Sequence, residues 1–275
     1  MNTVTTDDKT RLYVKDWGEG PPVILIHGWP LSADSWDDQA MALASTGHRV
    51  IAYDRRGFGR SSQPWNGYGY DALADDLAAV IQQTDAQDAT LVGFSMGGGE
   101  VARYMARHGG QSVARCVLIS SILPFRLKTA DNPAGTEQAA FDKTALALHT
   151  DRAQFFTGFF KTFFGDASAE RPVSAELLEW ARGIALQASL KATIECMRSF
   201  SSTDFRDDLA AFTVPTLLIH GTEDQTVPIA ASSRVAAQGI SQSTVIEYGG
   251  APHGLFATDK NRLTGDLLAF LARAA

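Results

Sequence analysis

Ser95 stands in the run Gly93-Phe94-Ser95-Met96-Gly97. A serine hydroxyl is a weak nucleophile until a base takes its proton, so its neighbourhood must expose the side chain and bring a base to it. The apolar run before it, residues 90–93, reads as a buried strand, and residues 96–108 carry a helical pattern. Gly-x-Ser-x-Gly between a strand and a helix is the arrangement that seats serine on a tight, strained turn. Crowding by neighbouring chain explains glycine at 93 and 97, and Gly98 and Gly99 ease the packing of the helix start. The chemistry such a serine supports is attack on a carbonyl.

Six histidines could supply the base: 27, 48, 108, 149, 220 and 253. His253 lies in Gly249-Gly250-Ala251-Pro252-His253-Gly254, between the last predicted strand and the last helix, so its loop opens at the carboxyl edge of the sheet. His27 and His220 sit at strand ends and read as structural hydrogen-bonding residues. His48, His108 and His149 fall in polar or helix-terminal surroundings and read as surface residues. A carboxylate must then fix the imidazole tautomer. Asp224 is in the loop His220-Gly221-Thr222-Glu223-Asp224, with Glu223 as its neighbouring competitor. The loop one strand earlier, Ser120-Ser121-Ile122-Leu123, offers no carboxylate. Two preset donors are needed for an oxyanion. One is the N–H of Met96 at the helix start, where the macrodipole helps. The other is expected in His27-Gly28-Trp29-Pro30, and because Pro30 has no N–H it is assigned to Trp29.

These residues have to be positioned by a sheet. Short apolar runs at 23–26, 50–53, 90–93, 113–120, 216–219 and 244–248 alternate with helical patterns such as 70–84 and 96–108, which predicts an α/β fold with a mostly parallel twisted sheet flanked by helices. Residues 11–16 alternate apolar and polar side chains, as an antiparallel edge strand would. From 123 to 209 no strand is evident, and residues 123–209 are read as a helical cap inserted into a core formed by 1–122 and 210–275. Pro124, Pro133 and Gly135 mark its beginning, and Val214-Pro215 the return to the sheet.

Composition narrows the function classes. The 275 residues are 45% hydrophobic and 20% charged, which suits a globular chain. A net charge of −7 and no basic run longer than Arg55-Arg56 argue against nucleic acid as a partner. No apolar stretch is long enough for a membrane span, and residues 1–9 lack the apolar centre of a signal peptide, so a cytoplasmic location is expected. Two cysteines, 116 and 196, make neither a disulfide framework nor a metal site, and Cys116 reads as a buried structural thiol.

Taken together, His27-Gly28-Trp29-Pro30-Leu31, Asp54-Arg55-Arg56-Gly57-Phe58-Gly59-Arg60-Ser61, the segment 93–103, Thr203-Asp204-Phe205 and Ala251-Pro252-His253-Gly254 resemble the cofactor-free haloperoxidase and arylesterase (perhydrolase) group of the α/β-hydrolases. The resemblance covers nearly the whole chain, and the order Ser, Asp, His along it is the one expected of that fold. It implies Ser95, Asp224 and His253 as triad and Trp29 and Met96 as oxyanion donors. It further implies hydrolysis of small aryl or short-chain acyl esters, peracid formation from carboxylic acids and hydrogen peroxide, no cofactor or metal, and frequent homo-oligomers. The segments 123–136 and 164–173 match no pattern of that group, which leaves substrate choice open. Residues 55–61 are expected to brace the loops of the site.

Phe94, Trp29, Phe125, Phe159 and Val227 are the expected pocket residues. The cap phenylalanines 155, 156, 159, 160, 163 and 164 share a broad helix side that either packs on the body or lines an apolar pocket. The expected activity is therefore a carboxylic ester hydrolase with perhydrolase and acyl-transfer side reactions. The rivals are a lactonase or lactamase, a primary perhydrolase, and a non-catalytic ligand-binding protein of hydrolase shape. Dehalogenase and epoxide-hydrolase chemistry is disfavoured, since relatives of that kind carry Asp where Ser95 stands.

Overall fold

A computed structural model of the chain describes residues 3–165 and 173–272. The expected alternation is present. The strands are β1 (Thr3–Thr5), β2 (Arg11–Trp17), β3 (Pro22–Ile26), β4 (Arg49–Tyr53), β5 (Ala89–Phe94), β6 (Val113–Ile119), β7 (Thr216–Gly221) and β8 (Ser243–Tyr248). They form one sheet in the order β1-β2-β4-β3-β5-β6-β7-β8, parallel from β4 to β8, with β1 and β2 antiparallel.

The strand at 11–16 is not an edge, contrary to expectation: β1 pairs along its outer side. Three residues, Thr3-Val4-Thr5, are too few to show an alternating pattern against their polar surroundings. The central strand β5 is buried at every position, which is why its sequence is a continuous apolar run and does not alternate.

The helices are α1 (Asp37–Ser45), α2 (Tyr70–Gln83), α3 (Met96–His108), α4 (Gln138–Phe163), α5 (Ala175–Gln187), α6 (Leu190–Ser202), α7 (Ser233–Gly239), α8 (Leu255–Thr258) and α9 (Lys260–Leu271). α4, α5 and α6 follow one another between β6 and β7 with no named strand among the described residues. Of the unmatched segment 164–173, residues 166–172 lie outside the described residues. α4 is broken at Asp151, whose backbone is extended (φ −156°, ψ 89°). Its carboxylate accepts from the Gln154 N–H at 2.9 Å, capping the second half of the helix. That second half carries the phenylalanines.

Two loop regions are locked by charge. Arg55 is fully buried and ion-paired with the equally buried Glu100 of α3, which also accepts from Tyr53 Oη at 2.7 Å. Arg55 donates in addition to the His27 carbonyl and, through its backbone N–H, to His27 Nε2 at 3.0 Å. Arg56 forms a bidentate pair with Asp76 at 2.6 Å. Asp54 accepts from Ala33 N and from Arg60 at 2.9 and 2.8 Å. The segment 55–61 thus braces the loop after β3.

Candidate active site

Ser95 is the hinge between β5 and α3, with φ 52° and ψ −114°, a conformation an L-residue adopts only under constraint. The constraint is visible in its flanking glycines. A Cβ on Gly93 would lie 2.7 Å from the Gly97 carbonyl oxygen, and one on Gly97 would lie 2.6 Å from the Ile26 carbonyl oxygen. The Ser95 N–H donates to the Ile119 carbonyl at 2.8 Å, which anchors the bend to β6.

Three loops at the carboxyl ends of β5, β7 and β8 converge here. Ser95 Oγ is 2.9 Å from His253 Nε2, and His253 Nδ1 is 2.6 Å from Asp224 Oδ2. Facing a carboxylate, Nδ1 carries the hydrogen, so Nε2 is left to accept the serine proton. The loops of Asp224 and His253 are stitched together by Glu223 N to Ala251 O at 3.1 Å and Gly250 N to Thr222 Oγ1 at 2.8 Å. The Gly254 N–H donates to the Phe163 carbonyl at 2.8 Å, tying the histidine loop to the end of α4. Glu223 is exposed and takes no part.

Asp224 is enclosed. Its Oδ1 accepts from the N–H groups of Thr226 and Val227 at 2.9 and 2.7 Å. Burial alone would raise its carboxyl, but His253 and His220 and the hydrogen bonds around it hold it well below the usual carboxylate range. His220, read from sequence as structural, contacts the acid directly, with Nε2 3.1 Å from Asp224 Oδ2 and 2.8 Å from the Val227 carbonyl. Nε2 faces two acceptors and must donate, which leaves Nδ1 to accept from Ser233 Oγ at 2.7 Å. His27 is kept neutral by burial and by Arg55, and serves the loop after β3.

The backbone N–H groups of Trp29 and Met96 have no acceptor among the described residues, while the neighbouring Leu31 N–H is consumed by the Gly28 carbonyl. Trp29 is fixed from the other side: its Nε1 donates to the Thr193 carbonyl of α6 at 2.9 Å.

A cavity of about 220 Å³ opens on Ser95 and His253, lined chiefly by Trp29, Ile122, Phe155, Phe159, Phe200 and Val227. Trp29, Phe159 and Val227 are where the sequence places them. Phe94 and Phe125 are not in this lining. Phe94 is fully buried behind the imidazole of His253, at 5.1 Å between centroids, and against Trp36 and Phe256. The residue before the nucleophile ends a strand buried on both faces, so its side chain turns inward. Phe125 is nearly buried beneath the Arg206 guanidinium, 5.2 Å from its ring. The helix of phenylalanines is divided: Phe155 and Phe159 border the cavity, whereas Phe156, Phe160, Phe163 and Phe164 are fully buried in the core.

Sequence reasoning missed Ile122, Arg126, Phe141, Thr144, Met197, Phe200 and Thr226 in the lining. Met197 and Phe200, like Phe141 and Thr144, are three apart on a helix and share a face, a spacing that could have been read. Among the described residues, no group of three or more metal-ligating side chains and no helix long and apolar enough to cross a membrane occurs.

Known proteins resemble this chain over nearly its whole length. The alpha/beta hydrolase fold family matches residues 21–260. A non-heme chloroperoxidase of Streptomyces lividans is 44% identical over 98% of this chain and 99% of its own length. A bifunctional esterase/perhydrolase of Acinetobacter calcoaceticus is 40% identical over 98% of this chain and 99% of its own. The crystal structure of a bromoperoxidase from Bacillus anthracis superposes with a TM-score of 0.95 at 42% identity, covering 99% of this chain and all of that one.

Proposed function

This chain belongs to the alpha/beta hydrolase fold family, and on that premise we propose that it is a serine carboxylic ester hydrolase acting on small aryl or short-chain acyl esters. The observation that carries the reading is the continuous hydrogen-bonded line from Ser95 Oγ through His253 to Asp224, at 2.9 and 2.6 Å.

In this reading His253 Nε2 takes the Ser95 proton as Oγ attacks the ester carbonyl. The oxyanion rests on the N–H groups of Trp29 and Met96. His253 then gives the proton to the alcohol oxygen as the acyl–oxygen bond breaks, leaving an acyl-enzyme on Ser95. Water, deprotonated by the same imidazole, releases the carboxylic acid. Asp224 holds the imidazole tautomer and steadies its charged form. Hydrogen peroxide in place of water would yield a peracid, and an alcohol would yield a new ester. The largely apolar cavity walls favour such nucleophiles relative to bulk water. The names of the Streptomyces and Acinetobacter relatives support the peroxide branch as a second activity. Residues 123–209 act as a cap that closes the acyl pocket over Ser95.

A panel of p-nitrophenyl esters, lactones and carboxylic acid plus peroxide, run on wild type and Ser95→Ala, tests the reading. The expected result is ester turnover that exceeds lactone turnover and falls by on the order of 10⁶ in kcat without the hydroxyl. Turnover unaffected by Ser95→Ala would refute it.

A further inference from the structure

Most of the cavity beside Ser95 is apolar, yet one cation borders it. Arg126 belongs to the loop between β6 and α4 and is part of the lining. Its Nη2 donates to the Thr226 carbonyl at 2.9 Å, and its Nε is sealed from solvent with no acceptor among the described residues. The lining includes no carboxylate. Asp224 is the carboxylate near enough to act on it, and Asp224 is already committed to His253, His220 and two backbone N–H groups.

A guanidinium does not shed its proton in a protein. Burying one without a counter-charge is costly, and buried charges are ordinarily paired. The two deeply buried arginines among the described residues follow that rule. Arg55 meets Glu100 and Arg56 meets Asp76, both buried pairs. Arg126 departs from it: burial pushes its guanidinium below the usual arginine value, whereas Arg55 and Arg56 lie above theirs. The sequence carries the same oddity, a single charge inside Ile122-Leu123-Pro124-Phe125-Arg126-Leu127. A half-buried cation, its Nε shut from solvent, is thus held against the catalytic cavity by one carbonyl, with donors to spare.

Resting on the ester-hydrolase reading, we propose that Arg126 binds a carboxylate carried by the substrate, so that the preferred esters are hemiesters of dicarboxylic acids. The planar fork of the guanidinium matches a carboxylate through paired N–H donors. The ester carbonyl sits at Ser95 and the free carboxylate at Arg126, while Trp29, Ile122, Phe159 and Val227 enclose the methylene chain between them. The anchored acyl group remains in place through the acyl-enzyme, and hydrolysis yields the alcohol and the diacid.

The test is pH-stat kinetics on monomethyl esters of diacids from succinate to suberate, each beside the methyl ester of the monocarboxylic acid of equal length. Wild type is expected to prefer the hemiester at the chain length that spans the two sites. Arg126→Leu is expected to lower the hemiester-to-neutral ratio of kcat/KM by roughly 10- to 100-fold, mainly through KM, as loss of a hydrogen bond to a charged group implies. Arg126→Lys should restore part of it. A merely structural role, holding the Asp224 loop through Thr226, would lower kcat for both ester series in parallel and leave the ratio unchanged, which overturns the proposal.

Wild type alone supplies a check that does not depend on a variant folding. The free diacid of optimal length should inhibit hydrolysis of the neutral ester competitively, and the matching monocarboxylate should do so far less. Equal inhibition by the two, or preference for the neutral ester at every length, overturns the carboxylate site while leaving the hydrolase reading intact. Failure to hydrolyse either series overturns both.

Discussion

Asp224 does more than accept one hydrogen bond. Its Oδ2 takes the Nδ1–H of His253 and the Nε2–H of His220, and its Oδ1 takes two backbone N–H groups. A carboxylate so surrounded has a fixed orientation, and it fixes the imidazole in turn. Replacing it by Asn keeps the volume but presents an amide to a ring that needs an acceptor. Asp224→Asn should therefore lower kcat by about 10⁴, as a wrong histidine tautomer does in a serine triad. The exposed Glu223→Gln should leave kcat near wild type, and ester kinetics on the two variants check this. The carboxyl is held below its unfolded value of about 3.9, so its contribution to stability is complete above that pH and is lost as pH falls through the folded value. The stability deficit of Asp224→Asn, measured by urea unfolding, should accordingly be largest near neutrality and narrow on acidification. The place of Asp224 beside His253 is legible from its loop and from the Ser-Asp-His order. The contact with His220 is not, because a histidine at a strand end can point to either side of the sheet.

The second half of α4 shows how one element divides its labour. Its phenylalanines repeat every three or four residues, so they occupy two adjoining stripes. One stripe, with Phe156, Phe160 and Phe163, is fully buried. The other, with Phe155 and Phe159, meets the Trp29 indole edge-on at 6.5 and 5.4 Å and borders the cavity. Truncation should separate the two stripes. Phe160→Ala is expected to cost about 3–5 kcal/mol of stability by urea unfolding, as a large side chain removed from a filled core does. Phe159→Ala, whose ring is already partly exposed to the cavity, should cost less and instead shift the preferred acyl length upward in an ester series. Equal stability losses with no shift in preference would show that both stripes serve only the core. Sequence periodicity shows that this helix has a broad apolar side, but not where core ends and pocket begins, because that boundary depends on how α4 is set against the loop after β3. The break at Asp151, after which the second half of α4 begins, leaves only the weak signal of an aspartate three residues before Gln154.

At the scale of the molecule, the site is a product of sheet topology. The loops after β3, β5, β7 and β8 open on one edge, and they bring residues 29, 95, 224 and 253 together. The strands from β2 to β8 and the residues of the proposed triad were legible because each leaves a local mark: an apolar run, a glycine-flanked serine, a histidine in a loop of fixed rank. The pocket was harder, since it is lined by α4, α6 and the loop before α4, whose approach to the sheet no local pattern encodes. Phe94 illustrates the difficulty: adjacency to Ser95 in the chain puts it behind the imidazole, not in the cavity. The convergence itself is open to one direct measurement, the rate and site of labelling by a fluorophosphonate, read by intact mass and peptide mapping in wild type and in His253→Ala. A single adduct on Ser95, slowed by several orders of magnitude when the imidazole is removed, is the predicted result. Labelling of another residue, or of Ser95 at an undiminished rate in His253→Ala, would contradict it.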